Sequence, residues 1–420
     1  MNSRQRVACV LNREVPDRIP LDIGATPVTG MHVSSVYLLR QALGLDRPGE
    51  PVKVTNIYQM LGEIKSDLVE ALGIDTIPLE RPVQSFGIVN KDWKEWTTFD
   101  GTPVLVPGGF NTRLEPNGDL FMYPQGDSSV SPSGRMPAGG FYFDAITRQP
   151  EFSEDSLEPK DNLEEFTLIS DQHLAFYKEQ VDRLFSETDK AIVANMGGTG
   201  FGDIAQVPAM QLKAPQGIRD VTEWYMSVVT RKAYVHEIFK GQTVVAMKNM
   251  ERFYQSVGDK VSVFFMTGTD FGSQSSLMFS PKVYRELFLP YQKRLNDWVH
   301  ENTNWKVFMH NDGAIRRMIP DYIEAGFDIL NPVQWTAADM DPVAIKASYG
   351  GQIVFWGAGV DTQKTLPFGT PDEVRKEVSD MCRVFGEGGG YVFSSVHNIQ
   401  AGIPVENLLA FFDAFKSVRK

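Results

Sequence analysis

The sequence predicts an α/β fold, a (β/α)8 TIM-type barrel with a hairpin-rich insertion after its second strand. Eight apolar segments of strand length alternate with helical segments, and they begin near residues 18, 74, 191, 261, 306, 327, 353 and 391. Polar residues directly follow many of these segments, at the strand end where (β/α)8 enzymes carry their chemistry. A doubly wound open sheet is the competing interpretation, but eight units at this spacing favour a closed barrel.

The first 80 residues are predicted to contain the first two strands. Residues 17–24 form the first strand, because an apolar run ends there in Asp22 and a turn glycine. Residues 73–79 form the second strand, with Gly73 as the C-cap of the preceding helix. Helical spacing of apolar residues predicts helices over 5–11, 35–43 and 57–72.

Residues 81–158 have a different character, because Gly-containing turn pairs separate short segments rich in Trp, Thr, Val and Phe. This pattern is typical of β-hairpins. Since the strand–helix alternation stops here and resumes afterwards, we expect a single barrel domain over residues 1–420 with an inserted segment at 81–158 that serves as a lid.

The alternation of strands and helices then continues to the end of the chain. A helix is expected over 281–302, with Ser280 as its N-cap and Pro281 at its first position. A glycine-rich loop, residues 197–202, follows the third strand, but it lacks the GxGxxG and GK[ST] patterns of phosphate-binding loops. The remaining helices are predicted over 171–187, 314–325, 341–348, 370–384 and 405–418.

Composition and charge exclude several classes of protein. The chain has 420 residues, a formal net charge of -12 and no block of Lys or Arg, which argues against nucleic-acid binding. Its two cysteines, Cys9 and Cys382, form neither a disulfide framework nor a metal-binding CxxC pair. No apolar run has the length of a signal peptide or a membrane span, so a cytoplasmic location is expected.

Polar side chains are concentrated at the predicted carboxyl ends of the strands. Any one of them could be an ordinary N-cap or turn residue, and this is the favoured interpretation of Asn195 or Asp361 taken singly. Together they predict a functional site at the mouth of the barrel. The residues are Asp22, Asn195, Asp270, His310, Asp312, Asn331, Gln334, Asp361, His397 and Asn398.

Three of these residues are predicted to bind a metal ion. His310 and Asp312 are spaced so that an imidazole nitrogen and a carboxylate reach one point, and His397 ends the last strand as a third ligand. Three protein ligands and an open position are typical of a catalytic metal site for zinc or another divalent ion. The alternative is a site without metal, in which His310 and His397 are hydrogen-bonded groups and His397 donates a proton.

The other strand-end residues are assigned to the substrate. Asp270 is predicted to be catalytic together with His397, and Gln274 either contacts the substrate or supports the metal ligands. Asn331 and Gln334 are predicted to bind the substrate, as is Asp22. His32 follows the first strand and is also predicted to line the mouth, although a solvated loop position fits it equally well.

Five segments of the chain, read together, resemble the uroporphyrinogen decarboxylase-like superfamily. They are FMHNDG (308–313), ILNPVQ (329–334), FWGAGVDTQ (355–363), LPFGTPDEV (366–374) and GGGYVFSSVHN (388–398), with DRIP (17–20) as the best N-terminal match. The resemblance covers residues 260–420 strongly and the first 80 loosely. It implies a (β/α)8 barrel, a homodimer, and one of two activities: porphyrinogen decarboxylation or zinc-dependent methyl exchange with a corrinoid protein.

The chain departs from both branches of that superfamily, but it resembles the corrinoid and zinc methyltransferase branch, of the O-demethylase type, more than the true uroporphyrinogen decarboxylases. Porphyrinogen decarboxylases carry an arginine-rich segment near the N-terminus, where this chain reads DIGATP (22–27), so porphyrinogen decarboxylation is not expected. The zinc methyltransferases carry a His-x-Cys pair and a later Cys, where this chain has His310, Asp312 and His397. A His/Asp/His set is harder than a sulfur-containing one and suits oxygen-bearing substrates such as methyl ethers.

Three hypotheses about function follow from the sequence. The first is a methyltransferase that moves a methyl group from a small methoxylated or methylated donor to the cobalt of a separate corrinoid protein, assisted by a bound metal ion. The second is a decarboxylase or lyase acting on a small cyclic acid, with His397 as the proton donor. The third is a barrel that binds a ligand or corrinoid without turnover.

Overall fold

Seven parallel strands form one curved sheet, in which each strand pairs with the next along the chain. The structure is a computed structural model that describes residues 1–419. The strands are Thr76–Leu79, Ala191–Ala194, Val261–Thr267, Lys306–His310, Ile329–Asn331, Val354–Ala358 and Tyr391–Ser394. Each begins within a few residues of its predicted position, and the TIM-type α/β fold is confirmed.

The first barrel position is occupied by a single bridging residue rather than by the full strand predicted over 17–24. Leu21 forms a parallel bridge with Phe393, and its carbonyl accepts from the backbone N–H of Asp75 at 2.8 Å. This segment therefore joins the last strand to the second and closes the barrel. It stays short because Pro20 has no N–H for the ladder and because the N–H of Leu21 donates to the Asp75 side chain.

Alternate residues of the strands fill the barrel interior. Phe265, Phe308 and Trp356 belong to an inner apolar cluster that also includes Val7 and Val10 of the first helix. Residues that point outward, such as Phe264 and Met309, belong to the larger cluster beneath the surrounding helices. The interior is therefore packed, and the polar strand ends lie above this core.

The helices that surround the sheet mostly match the predicted ones. The predicted helix 281–302 is divided into two at Phe288, next to Pro290, whose ring cannot donate a backbone hydrogen bond. The α-helices are Ser3–Leu11, Val33–Ala42, Ser66–Leu72, Asp171–Glu187, Val221–Thr230, Lys232–Val257, Pro281–Leu287, Leu289–Asn302, Ile319–Glu324, Pro342–Tyr349, Thr365–Phe368, Pro371–Gly386 and Val405–Val418. Among residues 1–419, none of these helices has the length and apolarity to cross a membrane.

The segment after the second strand contains short antiparallel strands, as its turn pairs predict. One four-stranded sheet consists of Thr112–Leu114, Leu120–Met122, Gly134–Met136 and Asp144–Ala145. The other contains Lys94–Thr97 and Pro103–Val106, but its remaining strands, Val52–Asn56 and Leu61–Gly62, precede the second barrel strand. This small β-region is therefore built from chain on both sides of Thr76–Leu79.

The prediction of a helix over 57–72 is wrong for its first half. Val52 and Val54 alternate with polar residues, which is the period of a strand, and both are fully buried. Asn56 then ends the strand, because its side chain accepts the backbone N–H groups of Tyr58 and Gln59. Only Ser66–Leu72 is helical, and Gly73 caps it in the left-handed conformation, as predicted.

Candidate metal centre

His310 is the last residue of the fifth barrel strand, and one of its ring nitrogens is hydrogen-bonded within the protein. Its Nδ1 lies 2.7 Å from Asn331 Oδ1, while Asn331 Nδ2 donates to the Trp356 carbonyl at 2.9 Å. Because the amide nitrogen of Asn331 is used in that second bond, its oxygen must accept, and the hydrogen of His310 lies on Nδ1. The Nε2 atom of His310 is thereby directed at Asp312.

His397 is held by the same kind of contact in the loop after the last strand. Its Nδ1 lies 2.8 Å from Asn398 Oδ1, and Asn398 Nδ2 donates to Gln59 Oε1 at 2.8 Å. The amide of Asn398 is therefore oriented as that of Asn331 is, so Nδ1 of His397 also carries the hydrogen. Gln59 lies in the loop between two strands of the β-region, so that region contributes to the orientation of His397.

Asp312 lies between the two imidazoles. Its Oδ2 atom is 3.4 Å from His310 Nε2 and 3.7 Å from His397 Nε2. One ligand atom from each of the three residues lies within 4.8 Å of the others. Asp312 Oδ1 is buried and has no hydrogen-bond partner among residues 1–419. The structure thus brings together the three residues that were predicted to bind metal.

This donor set fits a divalent metal ion. Two imidazole Nε2 atoms and one carboxylate are the donor types of catalytic zinc sites, and an amide oxygen on the opposite ring nitrogen is the usual support for a histidine ligand. The Asp312 carboxylate has Oδ2 next to both nitrogens and a buried Oδ1 without a partner among residues 1–419, and a cation would satisfy this arrangement. The side chains of Asp312 and His397 remain 27% and 29% exposed, so the site is open to a substrate.

Charge interactions link the three side chains. Burial lowers the pKa of His310, but the Asp312 and Asp270 carboxylates and the Asn331 contact together outweigh it and raise that pKa to about 9. Burial raises the pKa of Asp312, whereas His310 and His397 lower it more strongly, and the net pKa is lowered. Without a bound cation, His310 and Asp312 therefore form an imidazolium–carboxylate pair. Metal binding would replace the proton on Nε2.

Three other predicted residues surround the Asp312 loop. Asp270 Oδ1 accepts the backbone N–H of Asp312 at 2.8 Å, and burial raises the pKa of Asp270. Gln334 Oε1 accepts the N–H of Gly313 at 2.8 Å, and Gln334 Nε2 donates to Gln274 Oε1 at 3.0 Å. These contacts hold the turn that presents Asp312. Substrate contacts by Asp270, Gln274 and Gln334 stay predictions.

Asp22, His32 and Asn331 have their polar atoms engaged inside the protein. Asp22 is fully buried and accepts from Thr76 Oγ1 at 2.7 Å and Trp356 Nε1 at 2.8 Å. His32 is also fully buried, with Nδ1 accepting from Ser34 N and Nε2 on the Phe141 carbonyl. The geometry gives all three a structural role, and their substrate contacts remain predictions that require one of these bonds to break.

Asp203 was not predicted from the sequence, but it lies at the mouth. It directly follows the glycine-rich loop, its Oδ1 accepts the N–H of Ala205 at 3.0 Å, and its Oδ2 lies 3.9 Å from where a side chain at Gly268 would begin. Burial and the nearby Asp270 carboxylate raise its pKa to about 7. The signal that the sequence offers for it is an acidic residue after a glycine-rich loop at a strand end.

A comparison with known protein families shows which family the chain belongs to. A family model described as uroporphyrinogen decarboxylase (URO-D) matches residues 145–418, which include all three candidate metal ligands. The chain belongs to the URO-D family. The resemblance predicted from residues 260–420 is therefore confirmed, and it extends across the third barrel strand as well.

Individual URO-D relatives are distant and match only part of the chain. The uroporphyrinogen decarboxylase of Psychromonas ingrahamii is 28% identical over 155 residues, which cover 34% of this chain and 41% of the relative. The protein of the same name from Synechocystis sp. is 24% identical over 179 residues, covering 40% of this chain and 48% of the relative. The chain thus spans less than half the length of these two curated relatives.

A solved structure described as a methyltransferase from Methanosarcina mazei shares the fold over its whole length. The likeness covers 99% of each chain with a TM-score of 0.53 and 14% sequence identity. At this identity the likeness concerns the fold. It shows that this URO-D family member shares its overall fold with that solved structure.

Proposed function

We propose that the protein is a methyltransferase that moves a methyl group from a small methoxylated or methylated donor to the cobalt of a corrinoid protein, assisted by a bound divalent metal such as zinc. The observation that carries this proposal is the His310–Asp312–His397 group, in which the two Nε2 atoms lie 3.4 and 3.7 Å from Asp312 Oδ2 and Asp312 Oδ1 has no partner among residues 1–419. Such a donor set, open on one side, belongs to a site that activates a ligand.

Some residues of the site would bind the ion, and others would orient those ligands or the methyl donor. His310, Asp312 and His397 would hold the metal, and the amides of Asn331 and Asn398 keep the two rings turned towards it. When bound, the ion supplies Lewis acidity to the leaving oxygen, and the corrinoid cobalt is the methyl acceptor. The three ligands would thereby fix where the leaving oxygen binds.

The ligand types favour donors that leave through oxygen. A carboxylate and two imidazoles are harder ligands than cysteine thiolates, and an ion held by them prefers oxygen to sulfur on its open side. Asp312 stands where the resembling zinc methyltransferases have a cysteine. We therefore propose methyl ethers or methyl esters as donors, rather than thioethers.

The β-region would act as a lid over one side of the mouth. The carbonyl of Phe141 contacts the ring of buried His32, and Gln59 supports Asn398 next to His397. Asp144 and Asp203 both raise the pKa of Tyr58, after the larger effect of burial, so these groups lie in one neighbourhood. Tyr58 and Asp144 of the β-region are thus near Asp203 of the barrel, and Asp270 and Gln274 would orient the donor.

Decarboxylation of a small cyclic acid is the second candidate, because the matching family model and the two curated relatives carry the name uroporphyrinogen decarboxylase. In this case His397 would be the proton donor to the carbon that loses carbon dioxide. Its partly exposed side chain, with Nε2 3.7 Å from Asp312 Oδ2, is compatible with that role.

The two candidates are separated by one set of assays on the full-length protein. The protein as purified is analysed for bound metal, then mixed with 2-methoxyphenol and reduced cobalamin, whose absorbance reports methylation. Methyl transfer is expected with about one metal ion per chain, and His310→Ala should abolish it while the surface variant His173→Ala retains it. Metal-free active protein, or an active His310→Ala variant, contradicts the proposal. Carbon dioxide release without a corrinoid supports the second candidate.

A further inference from the structure

A second concave site lies on the rim of the barrel, beside the metal centre. It has a volume of about 410 Å³ and is bordered by the loops that follow three adjacent strands, Val261–Thr267, Lys306–His310 and Ile329–Asn331. This volume lies in the range of small-molecule sites. We call it the rim groove, and the residues that matter in its lining are Ser275, Ser280, Arg316, Arg317 and Asp339.

Two neighbouring arginines of the rim groove have no carboxylate partner among residues 1–419. Neither Arg316 nor Arg317 forms a salt bridge or a side-chain hydrogen bond there, and Arg316 is partly buried. The nearby Arg285, by contrast, is paired with Asp321 at 2.6 Å. Since the chain has a net charge of -12, two adjacent unpaired guanidinium groups form a local positive site in a negative surface.

Hydroxyl groups face the same groove. Ser275 and Ser280 both line it, and within the described part of the chain neither hydroxyl has a protein partner. Each can therefore donate one hydrogen bond to a ligand. Guanidinium forks and hydroxyl donors together match the oxygens of phosphate and carboxylate groups.

Asp339 is the opposing charge in the lining. It is exposed, and its backbone has a φ of 59°, in the left-handed region. With two arginines and one aspartate, the lining carries one net positive charge. The carboxylate of Asp339 should weaken anion binding by repulsion. Removing this charge should therefore strengthen anion binding, whereas removing an arginine should weaken it.

The rim groove and the metal centre are separate but adjacent. Ala314 lines the groove two residues after Asp312, and Ser275 follows Gln274, which joins Gln334 across the wall between the two sites. The N–H of Ala314 donates to the carbonyl of Ser273 at 2.8 Å and closes that wall. A ligand in the groove would therefore not contact the three candidate metal ligands.

We propose that the rim groove binds a phosphate or carboxylate group of a small anionic ligand, held by Arg316 and Arg317 with the hydroxyls of Ser275 and Ser280. This site is independent of the methyl-transfer proposal. A bound group of this kind would neutralise the two arginines and receive donors from two of the three loops, which is the role that loops at this face have in anion-binding barrels.

Calorimetric titration of the full chain with inorganic phosphate, pyrophosphate and tricarballylate tests the site. We expect saturable binding of at least one probe, weakened about tenfold or more by Arg316→Gln or Arg317→Gln, because a charge-assisted hydrogen bond is lost. Asp339→Asn should tighten the same binding. The order of the three probes shows whether phosphate or carboxylate oxygens are preferred.

Two matched variants test whether binding is specific to the rim groove. Arg47→Gln removes an exposed arginine outside the groove that also lacks a salt bridge, and it should leave binding unchanged. Asp312→Asn alters the metal centre and should also leave binding unchanged. Absence of saturable binding for all three probes overturns the proposal, as does binding that Arg316→Gln and Arg317→Gln do not weaken or that Asp312→Asn abolishes.

Discussion

The carboxyl end of the first barrel strand and those of the fifth and eighth strands carry the same residue types, but they differ in how their polar atoms are used. Asp22 and His32, at the first tip, are fully buried with their polar atoms bonded within the protein. At the other tips, Asp312 Oδ2 lies beside the Nε2 atoms of His310 and His397, and Asp312 Oδ1 has no partner among residues 1–419. A polar strand end therefore indicates function when some of its hydrogen-bonding capacity is unused.

The largest expected difference between the two tips concerns metal affinity. His310→Ala or His397→Ala removes a metal ligand, so metal affinity should fall by more than about a hundredfold. Changes to the hydrogen-bond partners of ligands typically cost only about 10–100-fold. Competition with a chelating dye measures the affinity. The control is His173→Ala at the exposed start of the helix Asp171–Glu187. A His310→Ala protein with unchanged affinity would place the metal elsewhere.

Asp22→Ala should show the reverse behaviour, with a loss of stability and unchanged metal binding. The substitution leaves the hydroxyl of Thr76 and the indole N–H of Trp356 buried without an acceptor. We expect the free energy of unfolding to fall by about 2–4 kcal/mol, the cost of unsatisfied buried donors. Urea denaturation measures it. Loss of metal from folded Asp22→Ala protein would mean that the first tip belongs to the site.

The amides behind the histidines provide a smaller test of the same comparison. Asn331→Ala and Asn398→Ala remove the acceptors that fix the two ring orientations, so metal affinity should fall about 10–100-fold in each. Asn302→Ala, at the surface end of a helix, is the control. Asn331→Asp should restore much of the affinity, because a carboxylate also accepts from Nδ1. Equal affinity in all four proteins would show that the orientation of the rings is unimportant.

Asp203 is intermediate between the two kinds of strand end, because one of its oxygens accepts a hydrogen bond and the other lies at the mouth. Its substitution should have the smallest effect of those considered. Burial and Asp270 raise its pKa to about 7 in the folded protein, above the value of 3.8 for an ordinary carboxyl. The folded protein therefore binds the extra proton, and stability should fall as the pH rises from about 4 through 7. In Asp203→Asn this fall should be shallower. Parallel stability curves for the two proteins, measured by urea denaturation, would contradict the assignment.

The barrel could be predicted from the sequence because its signals are local. Each apolar run such as Val307 to Met309 has the length of a strand, and the following helix has its own spacing and cap. The prediction failed where tertiary pairing decides the conformation. Residues 57–62 became a loop and a short strand because Val52–Asn56 pairs with Pro103–Val106 in a sheet built from distant chain segments.

The sequence by itself determined the kinds of atoms available at the mouth: imidazole, carboxylate and amide groups at the ends of consecutive strands. It also determined that a carboxylate, Asp312, stands two residues after His310. Only the tertiary structure decided which of these atoms remain free. Asp22 and Asp312 look alike in sequence, but the first meets Thr76 and Trp356 across the barrel, whereas the second meets two histidines whose rings are held by asparagines. Hydrogen-bond partners separated by up to 334 residues make that difference, and no local pattern encodes them.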